Sequence, residues 1–148
     1  MRCVTLNTML KRKATAQWNG TGQDGKGTLS APGGVLSSTP YTFGARFNQE
    51  APGTNPEELL AAAHAGCFTM AVAFSLQQQG FVARDLHTDA VVVLDKTATG
   101  MSITGVRLTL SGSAEGVSAE AFRQVAEAAK ANCIISRALS VPIELEIV

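Results

Sequence analysis

Two cysteines, Cys67 and Cys133, carry the chemistry this sequence could do. Each sits in an alanine-rich helical setting, Ala62-Ala63-His64-Ala65-Gly66-Cys67-Phe68 and Lys130-Ala131-Asn132-Cys133-Ile134. The chain shows no secretory signal, so a reducing, cytoplasmic compartment is expected. There, a cysteine pair serves redox catalysis or metal binding rather than acting as a permanent staple. A third cysteine, Cys3, falls in MRCVTLNTML, a stretch whose pattern differs from the rest of the chain, and a second methionine, Met9, precedes Lys11-Arg12-Lys13. Residues 1–10 are therefore expected to be a disordered or non-native extension, and residues 11–148 a single domain.

Metal binding has little to rest on. His64 and Cys67 stand three apart on one helix, a spacing that can ligate, but two histidines and three cysteines in the whole chain make a tetrahedral set hard to assemble. No metal and no cofactor are expected. A nucleophilic Cys67 needs a nearby cation, because the thiolate and not the thiol is the reactive species. Arg46 is the candidate, since a solvated charge is out of place within Phe43-Gly44-Ala45-Arg46-Phe47. Plainer readings stand beside these: Cys67 as a small core residue, Arg46 as an outward edge-strand residue, His64 as a packed histidine. An acyl-transfer pair of Cys67 and His64 is the weaker enzymatic alternative, for the two share one rigid helix and no orienting acid is evident.

The elements that would position these groups are legible. Between Ala14 and Phe47 short runs alternate: Ala14 to Trp18, Thr28 to Ser30, Val35 to Ser37 and Tyr41 to Phe47, separated by Gly22 to Gly27 and by Pro32-Gly33-Gly34. Thr54-Asn55-Pro56-Glu57-Glu58 then combines a capping residue, a first-turn proline and acids at the positive end of the helix dipole. Leu60, Ala63, Cys67, Met70, Ala71 and Phe74 recur at helical steps, and Gly80 closes a helix of about 25 residues. Leu86 to Leu94 and Ile103 to Leu110 read as strands of a hairpin turning at Thr97-Ala98-Thr99-Gly100. Ser118 opens a second helix with Phe122, Val125, Ala126 and Ala129 on one face, Cys133 comes just after it, and Pro142 to Val148 is a last strand. Segregated strands and helices in this order mean α+β.

Composition excludes other classes. A chain of 148 residues with 45% hydrophobic content can bury a core. Twelve basic and 12 acidic residues leave no net charge, and no basic stripe interleaves with aromatics, so nucleic-acid binding is not expected. The apolar run from Leu59 to Leu76 holds His64, Thr69 and Ser75 and much alanine, which suits a buried helix better than a membrane span.

The run Gly53-Thr54-Asn55-Pro56-Glu57-Glu58-Leu59-Leu60-Ala61-Ala62-Ala63-His64-Ala65-Gly66-Cys67-Phe68, with Cys133 much later in the chain, resembles the osmotically inducible protein C and organic hydroperoxide resistance (OsmC/Ohr) superfamily. The likeness extends over Lys11 to Val148, with Trp18, the Gly27 turn and Pro40-Tyr41, and the His64 form of the motif together with Arg46 resembles the OsmC branch. The resemblance implies antiparallel sheets packed around a long central helix, an intertwined homodimer, and a thiol peroxidase of oxidative and osmotic stress defence. It implies that Cys67 is the peroxidatic cysteine, Cys133 the resolving one, Arg46 the activating cation and Glu57 its carboxylate partner. A dithiol reductant, for instance one of lipoyl type, would reset the Cys67–Cys133 disulfide. Phe43, Phe47 and Phe68 would favour organic hydroperoxides over hydrogen peroxide. The alternative is a non-enzymatic redox-sensing or structural stress protein. Glu57 precedes Cys67 by ten residues, about 15 Å of helical rise, so it cannot touch its own chain's cysteine.

Overall fold

A computed structural model describes residues 9–148. The expectations for Cys3 and for the extension over residues 1–10 lie outside the described residues, apart from the exposed Met9 and Leu10. The chain forms two compact units, one ending at Asn55 and one running from Pro56 to Val148.

The first unit is a three-stranded antiparallel sheet of β1 (Thr15–Asn19), β2 (Lys26–Ser30) and β3 (Thr39–Tyr41). Trp18 pairs across to Gly27 and Gly27 to Tyr41, and the two rings meet at 5.2 Å between centroids. A Cβ on Gly27 would collide with both the Tyr41 and the Trp18 ring, so only glycine admits this contact. Val35 to Ser37 is not a strand. Pro32 to Gly34 turns back on itself, Ala31 N–H donates to the Leu36 carbonyl at 2.8 Å, and Val35 is 93% exposed with no face to bury. Nor does the strand expected from Tyr41 run to Phe47. The Thr42 hydroxyl accepts the Ala45 N–H at 3.1 Å, a local bond that draws the chain into a 3-10 turn over Gly44–Arg46.

The second unit begins with α1 (Pro56–Gln78), whose acids Glu57 and Glu58 occupy its first turn. It closes at Gly80, φ +85°, where Phe81 N–H reaches the Leu76 carbonyl and Gly80 N–H that of Gln77, a Schellman ending. The buried stripe is His64, Phe68, Val72 and Leu76, not the expected one, and Met70 and Phe74 are each 56% exposed. A helix that is apolar all round leaves the choice of buried face to its neighbours rather than to its own periodicity. By length and hydropathy α1 could cross a membrane, yet its stripe packs in the protein core.

A long hairpin of β4 (Ala83–Thr97) and β5 (Gly100–Ala114) turns at Ala98-Thr99, as the sequence predicts. Near its base the register slips between Arg84 and His87, where Asp85 has φ +49° and Gly112, φ +128°, lets the Leu86 backbone pass. Then come α2 (Ala119–Asn132), a short α3 (Ile134–Ala138) and β6 (Ile143–Ile147). Ser118 caps α2 by accepting the Ala121 N–H. One pairing departs from the antiparallel pattern, for β6 lies parallel to β5. The intervening helices are the crossover that parallel neighbours require. Val106, Leu108 and Leu110 of β5 meet the α1 stripe and Phe122, Val125, Ala126 and Ala129 of α2, and Cys133 belongs to the same core.

Candidate functional site

The second unit brings Cys67 and Cys133 together. Cys67 lies mid-way along α1, one position before the fully buried Phe68, and is half-buried. Cys133 is the hinge between α2 and α3, closing one helix through its N–H to the Ala129 carbonyl and preceding the other. At 1% exposure it is a core residue. The two sulfurs lie close enough to act on each other's ionisation.

Their environments push them in opposite directions. Burial raises the Cys67 thiol above the ordinary cysteine value. The N–H groups of Ile135 and Ile134 oppose it, but the neighbouring Cys133 adds to the rise. Burial also acts to raise Cys133, but there the backbone of Ser136, the Cys67 thiol, the Ser136 hydroxyl and the Ile135 N–H together outweigh it, and the thiol falls below the ordinary value. Cys133 makes no side-chain cap hydrogen bond in α3, so the first-turn N–H groups act on the sulfur as oriented dipoles.

A buried polar pair adjoins the cysteines. His64, fully buried one turn before Cys67, has Nε2 at 2.8 Å from the Ser136 hydroxyl, while its Nδ1 has no hydrogen-bond partner. Burial lowers the His64 pKa, so the ring is neutral. The sequence suggests a packed, hydrogen-bonded histidine; it gives no notice of Ser136 or of α3. The available signal is spacing: Ser136 stands three residues after Cys133, the offset at which a first-turn side chain returns to the residue before its helix.

The other expected residues divide between the two units. Glu57 is in the first turn of α1, about 15 Å along the helix from Cys67. Arg46 belongs to the first unit, where it ends the 3-10 turn with its guanidinium 6.0 Å over the Phe43 ring. Asn55 buttresses that turn by donating to the Ala45 carbonyl at 3.1 Å. Phe43 and Phe47 stack edge to face and are exposed, whereas Phe68 is sealed in the core and cannot form a substrate wall. Among the described residues no group of three or more His, Cys, Asp or Glu could hold a metal ion.

The pattern of the OsmC-like protein family matches residues 48–148, which include both cysteines, His64 and Ser136. The chain belongs to this family. Peroxiredoxin OsmC of Escherichia coli (strain K12) is 42% identical over 137 residues, spanning 93% of this chain and 95% of its own. Among solved structures, the organic hydroperoxide resistance protein OhrB of Bacillus subtilis superposes with a TM-score of 0.71 at 27% identity, covering 92% of this chain and 98% of its own. An OsmC-like protein of Vibrio cholerae O1 biovar eltor reaches a TM-score of 0.76 at 20% identity, covering 95% and 100% of the two chains. That last likeness establishes the α+β OsmC-like fold.

Proposed function

We propose that this OsmC-family chain is a cysteine-based peroxidase that reduces organic hydroperoxides, and hydrogen peroxide less efficiently. The observation that carries the reading is the juxtaposition of Cys67 and Cys133, one half-exposed and one buried, in a chain 42% identical to a peroxiredoxin. The Cys67 thiolate attacks the O–O bond, leaving Cys67 as a sulfenic acid and releasing an alcohol. Cys133 then displaces hydroxide from that sulfur to form the disulfide, so two thiols and one hydroperoxide become one disulfide, one alcohol and one water. A dithiol reductant, for instance one of lipoyl type, reopens it by exchange.

The raised Cys67 thiol favours the alternative of a non-enzymatic, structural stress protein unless a cation acts on it, since redox sensing also needs the thiolate. Arg46, oriented by Glu57, is the cation we assign. Since Glu57 stands about 15 Å from Cys67 on one rigid helix, the pair would serve the thiol of a second copy in a homodimer. The exposed Met70 and Phe74 on α1 give such a dimer an apolar face. Each site would combine Cys67 and Cys133 of one subunit with Arg46 and Glu57 of the other. Residues 11–148 would act as one domain, in the cytoplasm, free of membrane and nucleic acid, with no metal or cofactor.

The test is peptide mapping under non-reducing conditions after one equivalent of cumene hydroperoxide. A Cys67–Cys133 link within one chain is expected. An interchain bond, or a link through Cys3, would sink the assignment.

A further inference from the structure

We propose that His64 and Ser136 are positioning residues for the resolving step, forming a buried relay that holds Cys133 as the nucleophile that closes the disulfide. The inference rests on the peroxidase reading above and adds to it two residues with their roles. Three observations support it. Ser136 is 8% exposed and His64 fully buried, so their 2.8 Å contact is sheltered from water. Ser136 lies in the first turn of α3, with its hydroxyl acting on the Cys133 sulfur. His64 Nδ1 is buried without a partner, so the ring's hydrogen bonding is committed through Nε2 to Ser136.

Proton counting fixes the direction of the relay. A thiolate can only accept, so when Cys133 is ionised the Ser136 O–H must donate to it. That hydroxyl has one proton, and its contact with His64 must then be filled by Nε2–H of the neutral ring. The orphan is thereby Nδ1 as a lone pair, which is tolerated better than a buried unpaired N–H. The chain His64 Nε2–H to Ser136 Oγ, Ser136 O–H to Cys133 Sγ points every donor at the sulfur.

The relay has a moment of use. When the Cys67 thiolate cleaves the peroxide, the departing alkoxide takes a proton, and the Cys133 thiol neighbouring Cys67 gives it. Cys67 becomes the sulfenic acid, the alcohol leaves, and Cys133 is left as a thiolate facing the sulfur it must attack. Attack forms the S–S bond and expels hydroxide, which takes up a proton as water.

The experiment separates the two steps in the intact protein. Oxidation of Cys67 by one equivalent of cumene hydroperoxide is tracked by dimedone trapping, and closure by acid quench and non-reducing mapping. Ser136→Ala, which removes a single oxygen, should slow closure relative to Cys67 oxidation about threefold near neutral pH. The thiolate population falls about tenfold per pKa unit while the more basic sulfur recovers part of the rate. Ser136→Thr, which restores the hydroxyl, should restore the ratio, and His64→Phe should add little slowing in the Ser136→Ala background, as members of one chain are not additive. An unchanged ratio in Ser136→Ala, or full additivity with His64→Phe, would overturn the relay while wild-type closure left the peroxidase reading standing. If the wild type itself formed no Cys67–Cys133 bond, that reading and the relay would fall together.

Discussion

The two cysteines are the same functional group in contrasting surroundings. Cys67 lies on the flank of a long helix, facing partly outward, and its surroundings in α1 and α3 leave it a reluctant acid. Cys133 lies in the core at a break between helices, yet it is the more readily ionised, because the first turn of α3 aims its N–H groups and Ser136 at the sulfur. Depth of burial alone would rank them the other way. On the roles proposed above, the second unit by itself favours ionisation of the resolving thiol and leaves the peroxidatic one in need of a charge from elsewhere. That is the physical argument for Arg46.

Cys67→Ser should abolish peroxide turnover. Cys133→Ser should reduce one equivalent of hydroperoxide and then stall with Cys67 as sulfenic acid or over-oxidised, since no resolving thiol remains. A coupled assay with a dithiol, together with mass spectrometry of the stalled protein, distinguishes the outcomes. Steady turnover by Cys67→Ser protein would assign the attack to Cys133, the better acid of the two.

The next effect concerns the missing charge. Arg46→Ala should lower the rate of Cys67 oxidation by roughly tenfold if the guanidinium is worth roughly two pKa units of thiolate stabilisation, since the more basic sulfur recovers part of the loss. Co-expressed with Cys67→Ser, it should regain activity in the purified heterodimer, because one of the two sites then has both an intact thiol and an intact guanidinium. Heterodimers as inactive as either parent, alongside active wild-type heterodimers carrying the same tags, would place the arginine and the thiol in one chain.

Much of the fold is legible in the sequence alone, and the failures have physical causes. Ser118 as the cap of α2, the buried face from Phe122 to Ala129, the Ala98-Thr99 turn and the Gly80 ending all rest on local rules, and each holds. Choosing the buried face of α1 fails because alanine, methionine and phenylalanine surround it, leaving His64 and not Cys67 on the inner stripe. The Val35 strand fails because alternation needs a surface to cover, and none is offered there. Cys67 and Cys133 are readable as a pair through the family's motif. Ser136 is not, for its role depends on a five-residue helix held by tertiary contacts that no propensity announces.

The pH dependence of stability should be slight but opposite in sign for the two sulfurs. A thiol raised on folding contributes its stability below the unfolded cysteine value, about 8.5, and loses it as pH rises through the folded value. A thiol lowered on folding does the reverse: its contribution is present above that value and is lost as pH falls through the folded one. Cys67 is the first kind and Cys133 the second. Urea midpoints of the reduced proteins, measured from about pH 7 to about pH 10 across that range, should therefore diverge. As pH rises, the wild type should lose stability relative to Cys67→Ser and gain it relative to Cys133→Ser, while the titrating groups outside the cysteine pair cancel in the difference. Slopes of the same sign would mean that burial governs both sulfurs and that the α3 turn does not set them apart. Opposite slopes would mean that a single turn of helix suffices to reverse the order that burial sets.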